Sequence, residues 1–581
     1  MAVLAEIAGD EPPPPLPPSE GGEASGAPST SSPSDADGGG KPSPRTSKPG
    51  RKRLVLTASV LLSFLIGLPL LLKSTEIHRS PLPSDAIAAL SRRLHSNPPS
   101  FPCGLHAVFL RSDRDPSEAS VANRIEREIS TQLVDLPDAS TAGKISVSVT
   151  VESAGVCSSS SKVASPWRCG AVTTADLGRG DEVFDELLES ALGDGGGDGM
   201  RVYTVVFVDS DDLKRIVIGK HRHAWVVGKV DEAEVVSIIG KVFVKYFMNG
   251  GVEEGEASTV KREFMPVGSD GNIILSFSLL NADPSDWVYD WEFENIGQRM
   301  LTPVIEALRP IANINIESQV NSNEWHLDTS ISATGRSKVL QFVVYIPSAR
   351  ECPLYLQLPD GELSKTNAFI SPMWGGVVIW NPPGCSLGSK PHGALDKMSS
   401  EELMETIEIF IGQLRQLFGL KSSYHTQSMD GVTKFITSPK GFAQWELDLL
   451  YRHHACSNLL SCLTTLESLS SLVQSLPRMI VMDEIGRQVE LSLEAASLAQ
   501  RNASLGIISA TRARALAEDA FFHPSVMSIS YASIEHYFAI YMPFFAPVSL
   551  HVLLAVMKEL KRYMVERRKY SAFLASQATS S

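Results

Sequence analysis

The sequence lacks a strongly basic surface. Its 581 residues include 52 Lys and Arg against 66 Asp and Glu, which gives a formal net charge of −14. Outside the flanks of two long apolar segments, no stretch is strongly basic. Non-specific binding of nucleic acid needs such a surface to neutralise phosphates, so we expect no nucleic-acid partner.

The sequence also lacks the local motifs of common enzyme sites. It contains no P-loop, G-x-G-x-x-G, H-E-x-x-H, G-x-S-x-G or paired C-x-x-C motif. The best candidate nucleophile is Cys456, which follows His453 and His454. A cysteine nucleophile needs an imidazole beside the thiol in an accessible cleft. The local pattern is helical, so only His453, three residues earlier, could touch Cys456.

We therefore expect no catalytic residue and no bound cofactor in this chain. The nearest approach to a metal-binding pattern is the pair His221 and His223. We do not expect these two histidines to share an ion, on the assumption that they point to opposite faces of a strand. The sequence thus predicts no metal site.

Cysteine is scarce and odd in number. Seven cysteines cannot all pair within one chain, so at least one must be a thiol or pair elsewhere. Cys157 and Cys169 flank a Ser-rich loop and could form a disulfide. Cys456 and Cys462 lie six residues apart in a helical pattern, about 9 Å between Cα atoms, beyond the ~7 Å limit of a disulfide. This usage permits an oxidising compartment.

What the sequence does contain is a long apolar segment near its N-terminus. Residues 54–72 hold nineteen residues without a charge, and such a helix covers roughly the 30 Å hydrocarbon core of a bilayer. Five of the nine residues at 45–53 are Lys or Arg, which favours a cytosolic N-terminus. A cleaved signal peptide is the alternative, but a long tail precedes the segment and no A-x-A-like site follows it.

A second apolar segment, residues 537–557, precedes a basic C-terminal tail. The basic flank predicts that this end is also cytosolic, so the folded mass between the segments is lumenal or extracellular. Pro543, Pro547 and His551 recur at four-residue spacing and share one helical face. Because proline frees backbone carbonyls, a neighbouring helix could pack on this face; a kinked anchor that faces lipid is the alternative.

Between the two segments the pattern changes once. Strand and helix patterns alternate up to about residue 395, with an alternating strand at 144–151 and an apolar run at 202–208, which predicts an α/β or α+β domain. Asp283-Pro284 resembles the start of a helix that carries Trp287 and Trp291. Ser399 and Glu402 form a capping box, after which helical patterns continue with no strand signal.

Two further features lie between the apolar segments. Asn502 belongs to the only N-x-S/T sequon and is therefore the candidate glycosylation site. Residues 371–380 hold Trp374 and Trp380 next to turn-forming proline and glycine, which suits anchoring on a core; exposed aromatics at a partner surface are the alternative.

The predicted organisation has six segments. They are a disordered cytosolic tail (1–53), a first transmembrane helix (54–72), a lumenal α/β domain (73–395), a lumenal helical region (396–536), a second transmembrane helix (537–557) and a basic cytosolic tail (558–581).

Seven sequence blocks, in register along the chain, resemble the PIG-S family of GPI transamidase subunits. No single block is diagnostic, but the seven together span nearly everything between the two tails. The blocks are GLPLLLKSTE (67–76), SFSLLNADP (276–284), VYIP with PLY (344–355), TNAFISPMWGG (366–376), WELD (445–448), AFFHP (520–524) and FAIYMP (538–543).

The resemblance implies a membrane protein of the endoplasmic reticulum, in the complex that joins precursor proteins to a GPI lipid. In that family the cysteine nucleophile belongs to another, cysteine-protease-like subunit, so the expected role is structural or accessory and the expected partners are the other subunits. Two alternatives stand beside it: a membrane-tethered hydrolase with an unrecognised site, and a cell-surface receptor or adhesion protein.

Overall fold

The computed structural model describes residues 48–579 with internal gaps. The gaps are 75–78, 97–100, 111–117, 135–141, 154–155, 160–166, 193–200, 212–213, 252–270, 323–336, 360, 384, 386–394, 421–432, 477–478, 502–505 and 528–533. The chain divides into two compact units, Met1–Thr75 with Ile534–Ser581, and Glu76–Ser533. The predicted disordered tail lies almost wholly outside the described residues.

The described α-helices span both units. They are α1 (Lys52–Ser74), α2 (Ser84–Ser96), α3 (Glu118–Val134), α4 (Asp181–Ala191), α5 (Glu232–Lys241), α6 (Phe293–Leu308), α7 (Ser400–Leu417), α8 (Gln444–Ser475), α9 (Asp483–Arg501), α10 (Gly506–Phe521), α11 (Pro524–Met527) and α12 (Ile534–Thr579). A 3₁₀ turn at Thr174–Arg179 precedes α4, and a π-helical segment at Val242–Met248 continues α5.

The described strands all belong to the second unit. They are β1 (Phe101–Leu110), β2 (Ala142–Ser153), β3 (Val156–Ser159), β4 (Arg201–Val208), β5 (Arg215–Ile218), β6 (His223–Val227), β7 (Asn272–Asn281), β8 (Val288–Asp290), β9 (Asn313–Ser322), β10 (Lys338–Ile346), β11 (Ala368–Ser371), β12 (Gly375–Ile379), β13 (Leu395–Lys397) and β14 (Thr433–Phe435).

The first unit contains helices α1 and α12, which contact each other. The predicted spans 54–72 and 537–557 fall within these two helices. Among the residues that the structure describes, no helix has the combination of length and apolar character that crossing a membrane requires. The two spans and their orientation therefore stay predictions.

The second unit begins with a seven-stranded sheet in the order β14-β5-β6-β4-β1-β2-β3. Strands β2, β1, β4 and β6 run parallel, whereas β5 and β3 are antiparallel to their inner neighbours. Helices cover both faces, since separate hydrophobic clusters lie on the α3/α5 side and on the α4 side. The continuous apolar run at 202–208 becomes the buried strand β4, as a central parallel strand requires.

A second sheet has five strands in the order β11-β12-β10-β7-β9. All pairs are parallel except the β11–β12 hairpin at one edge. Its core is aromatic: the Phe277 ring lies 4.8, 5.2 and 5.6 Å from the rings of Phe293, Phe342 and Phe410. Phe293 belongs to α6 and Phe410 to α7, so these two helices are packed against this sheet.

The prediction that a helix begins at Asp283-Pro284 is wrong. Asp283 Oδ1 accepts a hydrogen bond from Ser285 N (2.9 Å) and forms a turn, and α6 begins only at Phe293. The Asn281 side chain bonds both Tyr289 N and Tyr289 O, which holds the chain extended as β8. The Asp-Pro signal thus marks a turn, because Asp side chains stabilise turns as readily as helix starts.

The remainder of the second unit is mainly helical, and α2, α8, α9 and α10 share one hydrophobic core. The predicted capping box is confirmed: Ser399 Oγ accepts from Glu402 N, and Glu402 Oε2 accepts from Ser399 N (3.1 Å). The expectation of no strand after residue 396 is wrong, since β14 pairs with β5. Three residues are too few to give a periodic signal, and β14 exists only because a sheet edge is available.

Candidate functional site: a groove between two sheet edges

A groove of about 770 Å³ opens between the edges of the two sheets. Its walls are one face of α7, the β11–β12 hairpin of the five-stranded sheet, and the segment 435–446 that follows β14. Both β11 and β14 are the terminal strands of their sheets. The groove is therefore the place where two sheet edges and one helix face meet.

The hairpin is fixed against α7 by Gln413. Its Nε2 donates to Phe369 O (3.0 Å) and to Val377 O (3.1 Å), so one side chain bonds both strands. Gly376 lies directly opposite, and a Cβ there would overlap the Gln413 amide. At Gly375, where φ is +149°, a Cβ would overlap the backbone of Gln341. The two glycines suggested a turn; their further role is to let the hairpin pack this closely.

A buried ion pair forms the floor of the groove. The Arg415 guanidinium of α7 makes two bonds to the Glu446 carboxylate of α8, Nη1 to Oε2 at 3.1 Å and Nη2 to Oε1 at 2.6 Å. The two side chains are only 9% and 1% exposed. Glu446 also accepts from Ala443 N (2.8 Å), and Arg415 also donates to Gly441 O. The pair therefore joins α7 to the start of α8.

The open side of the groove carries acidic side chains from α7 and apolar side chains from the hairpin, with one cation, Lys365, just before β11. Glu402, Glu405 and Glu408 lie along the face of α7 that lines it. Glu405 and Glu408 are exposed, whereas Glu402 is half-buried in its capping box. On the hairpin, Phe369 is 45% exposed. The two predicted aromatic anchors are less exposed. Trp380 packs edge-on against Tyr289 with ring centroids 5.0 Å apart, and Trp374 is half-buried at the hairpin turn.

Helix α8 ties the groove floor to the seven-stranded sheet. Trp445 Nε1 donates to Gly219 O (3.1 Å). Asp448 is 5% exposed and pairs with two arginines, Arg201 of β4 at 3.1 Å and Arg222 in the turn before β6. Further along, Arg452 Nη2 donates to Phe247 O (2.8 Å). One helix thus carries polar links to the seven-stranded sheet and, through Glu446, to α7, which packs on the five-stranded sheet.

A second polar cluster lies on the other side of Gly219. His223 is fully buried and its Nε2 lies 2.9 Å from Asp185 Oδ1. Burial alone would raise the pKa of Asp185, but the hydrogen bond from His223 and the nearby Lys220 charge hold that pKa below its usual range. The assumption that His221 and His223 point to opposite faces of a strand is wrong. They stack with centroids 5.7 Å apart, because residues two apart near a strand project to one side. The described residues contain no group of three or more ligands suited to a metal ion.

The thiols are held in the protein interior. Cys103 and Cys462 are buried, and burial raises the pKa of each to about 11. Cys456 is half-buried on α8 and packs against the core of the five-stranded sheet. The neighbouring His454 is buried against Phe418, and burial lowers its pKa to about 3. The environments of Cys103 and Cys462 disfavour the charged thiolate, and that of His454 disfavours the imidazolium.

The other sequence-predicted sites are only partly described. Asn502 and the side chain of Cys157 lie outside the described residues; Cys169 is disulfide-bonded. His551 Nδ1 lies 2.6 Å from Pro547 O within α12. Sequence reasoning missed a disulfide between Cys352 and Cys385, whose Cα atoms are 5.8 Å apart. A separation of 33 residues gives no local signal for that pairing.

The architecture defines a mixed α/β protein in which two largely parallel sheets are joined by one long helix. Comparison with known sequences gives the family. The pattern of the PIG-S family, phosphatidylinositol-glycan biosynthesis class S protein, matches residues 58–322 and 320–566. The chain belongs to this family, and the resemblance predicted from the seven sequence blocks is confirmed.

Individual relatives agree with this assignment. The chain is 26% identical to the GPI-anchor transamidase component PIGS of Bos taurus over 559 residues, 88% of this chain and 94% of the relative. It is 28% identical to the Homo sapiens protein of the same name over 378 residues, 58% and 66% of the two chains. A GPI transamidase component PIG-S homolog of Schizosaccharomyces pombe is 26% identical over 323 residues, 50% and 54%.

Proposed function

We propose that this chain is a non-catalytic subunit of the GPI transamidase complex, which attaches GPI anchors to the C-termini of precursor proteins in the endoplasmic reticulum. The observation that carries the proposal is the family match, which extends over most of the chain. Relatives from mammals and yeast carry names that make them components of this transamidase. The bond chemistry then belongs to a cysteine-protease-like partner subunit.

The chemistry of the thiols supports an accessory role. A nucleophilic cysteine acts as the thiolate, and burial raises the pKa of Cys103 and Cys462 far above neutrality. His454 is buried with a pKa lowered to about 3, so it is a poor base near pH 7. The groove between the sheets is lined by carboxylates, neutral polar and apolar side chains and Lys365, and its arginine is already paired with Glu446.

The network around α8 supports a scaffold. Glu446 joins α8 to α7 through a buried charge pair, and Asp448 joins α8 to Arg201 of the seven-stranded sheet. Breaking the buried pair would leave an uncompensated charge. A unit held this way presents fixed surfaces to its neighbours. Partner binding, rather than a moving catalytic lid, is the function this construction serves best.

The membrane topology belongs to the same proposal. Two helices at 54–72 and 537–557 hold the chain in the endoplasmic reticulum membrane, with both termini cytosolic and the bulk lumenal. The basic flanks of each segment support this orientation. Asn502 is then lumenal and available for glycosylation, and a Cys157–Cys169 disulfide suits that compartment. Protease treatment of sealed microsomes should trim both tails and spare the middle; a protected tail contradicts the topology.

The proline face of the second segment is proposed as a contact for a neighbouring helix. Pro543, Pro547 and His551 share this face, and each proline frees a carbonyl four residues earlier. The His551 ring bonds Pro547 O in its own helix, so the imidazole is satisfied there and the contact rests on packing at the prolines.

Replacement of Cys456 tests the non-catalytic role. In cells that lack the endogenous protein, Cys456→Ser and His453→Ala should both leave GPI attachment near normal. Surface display of a GPI-anchored reporter measures attachment, and co-purification of the subunits measures assembly. If Cys456→Ser abolished display while the complex stayed intact, the chain would be an enzyme and the proposal would be wrong.

A further inference from the structure

We propose that the free edge of β11 binds an extended segment of another subunit by β-strand addition, inside the groove beside α7. The inference rests on the proposed function, since it needs a complex with other subunits. It goes further by assigning a surface, a mode of recognition and the chemistry of the segment bound.

Strand β11 has one paired side and one open side. It pairs only with β12, in the register Ala368 to Val378 through Ser371 to Gly375. Ile379 N donates to Asn367 O (2.9 Å), so Asn367 and every second residue after it face β12. Ala368 and Ile370 therefore direct their N–H and C=O groups to the open side. Within the described part of the chain, no strand pairs with that side.

The open edge is a short strand of four residues, and it lacks the side chains that most often protect a sheet edge. Natural proteins block such edges with lysine, proline, bulges or inward-pointing charges. The sequence of β11 is Ala-Phe-Ile-Ser, which contains no lysine, no proline and no charged residue. Phe369 is 45% exposed beside this edge. An unprotected apolar edge is a hazard in a free monomer, so it fits a surface that is covered after assembly.

The seven-stranded sheet shows the contrast. Its groove-side edge strand, β14, carries Lys434, which pairs with Asp181 at 2.8 Å. A charged residue in the middle of a three-residue strand is the usual protection of an edge. The difference between the two strands points to β11 rather than β14 as the edge that receives the added segment.

The groove also selects the chemistry of the segment. Glu405 and Glu408 are exposed on the helix face that lines it, one turn apart. No ion pair within the described residues engages either carboxylate. An added strand alternates its side chains, so one set would lie toward Phe369 and the other toward α7. The matching segment is thus about four residues long, extended, apolar on one face, with Lys or Arg on the other.

Photo-crosslinking from position 369 tests this directly. The full chain, with p-benzoylphenylalanine in place of Phe369, is expressed in cells that lack the endogenous protein, and the complex is purified in mild detergent and irradiated. Phe522, 59% exposed near the end of α10, is the matched aromatic control. Mass spectrometry should find position 369 joined to a short Lys- or Arg-containing segment of another subunit, and position 522 not joined to that segment.

Two substitutions establish the mode of binding. Ile370→Pro removes an N–H that faces the groove and should lower the crosslink yield at least tenfold, whereas Ile370→Val keeps that N–H and should not. Glu405→Lys with Glu408→Lys should lower the yield severalfold; Glu401→Lys, outside the groove lining, should have no effect. Both glutamates are exposed, so this variant should melt like the parent chain even if Ile370→Pro does not.

Several results overturn the inference. Strand addition is contradicted if position 369 crosslinks only to lipid or to a second copy of this chain. It is also contradicted if the crosslink to another subunit keeps its yield in both Ile370→Pro and the Glu405→Lys, Glu408→Lys variant. If the subunits co-purify but position 369 gives no crosslink, the inference falls and the proposed function stands. If no other transamidase subunit co-purifies with the parent chain, the proposed function falls as well.

Discussion

Removal of the Glu446 carboxylate should destabilise the second unit strongly. The change Glu446→Gln keeps the shape of the side chain but leaves the Arg415 guanidinium, 9% exposed, without its counter-charge. Breaking a buried pair in this way costs about 3–5 kcal/mol, because the remaining charge stays desolvated. The unit runs over Glu76–Ser533, so its entropy of unfolding is roughly 1 kcal/mol/K and we expect a Tm loss of about 3–5 °C.

The measurement is thermal unfolding of the purified full chain in detergent, followed by tryptophan fluorescence. Trp445 is the residue next to Glu446 and is fully buried, so its emission should report the transition. Scan rates must match between variants, because large proteins often unfold irreversibly and the apparent Tm then depends on rate.

Two controls separate the buried pair from a general charge effect. Glu292→Gln breaks the exposed pair with Lys397, whose side chains are 50% and 58% exposed, and should cost less than about 1 kcal/mol. The double change Arg415→Leu with Glu446→Leu removes both charges and should recover most of the loss. Equal shifts for Glu446→Gln and Glu292→Gln would refute the reasoning, as would a double variant no better than Glu446→Gln.

Two further predictions follow from the same unit. Gly375→Ala should lower the free energy of unfolding by about 3 kcal/mol, because its Cβ would overlap the Gln341 backbone. Gly170→Ala, at φ +75° in open space, should lower it by only about 1 kcal/mol. Thermal unfolding compares the two variants. Burial lowers the pKa of His454 to about 3 from an unfolded value near 6.5, so the unfolded state binds the extra proton and stability should fall as pH drops below about 6.5. His454→Phe should reduce the slope of the unfolding free energy against pH, between pH 6 and 4, by about one proton. An unchanged slope contradicts this prediction. The pH dependence would then come from His106, whose pKa is lowered to about 4.

Local periodicity recovered most of the regular elements. The apolar run at 202–208 and the alternating run at 144–151 became β4 and β2, and the capping box at Ser399 starts α7 with the predicted bonds. These succeeded because the signal lies within one element. The Asp283-Pro284 start failed because the same residues serve a turn, and the decision came from Asn281 bonding to Tyr289 eight residues away.

The groove itself had no sequence signal. Its walls come from the hairpin near residue 370, from α7, and from the segment after β14, which are adjacent only in the folded chain. Arg415 and Glu446 are 31 residues apart, and nothing in either neighbourhood predicts that they pair. The family resemblance is visible without the folded structure, because seven short sequence blocks in register carry information that no single contact does.

The position of α8 in the chain has a consequence for biosynthesis. Leu449 and Leu450 pack in the core of the five-stranded sheet, and Trp445 packs in the core of the seven-stranded sheet. Leu459 and Leu463 pack in the helical core. All three cores therefore stay open until residues 444–475 have been synthesised, by which time most of the strands have emerged. At about 5–20 residues per second, the first strands wait tens of seconds for the α8 residues that complete their cores. Chaperones should accordingly be bound to nascent chains that end before α8 and released from chains that extend past it.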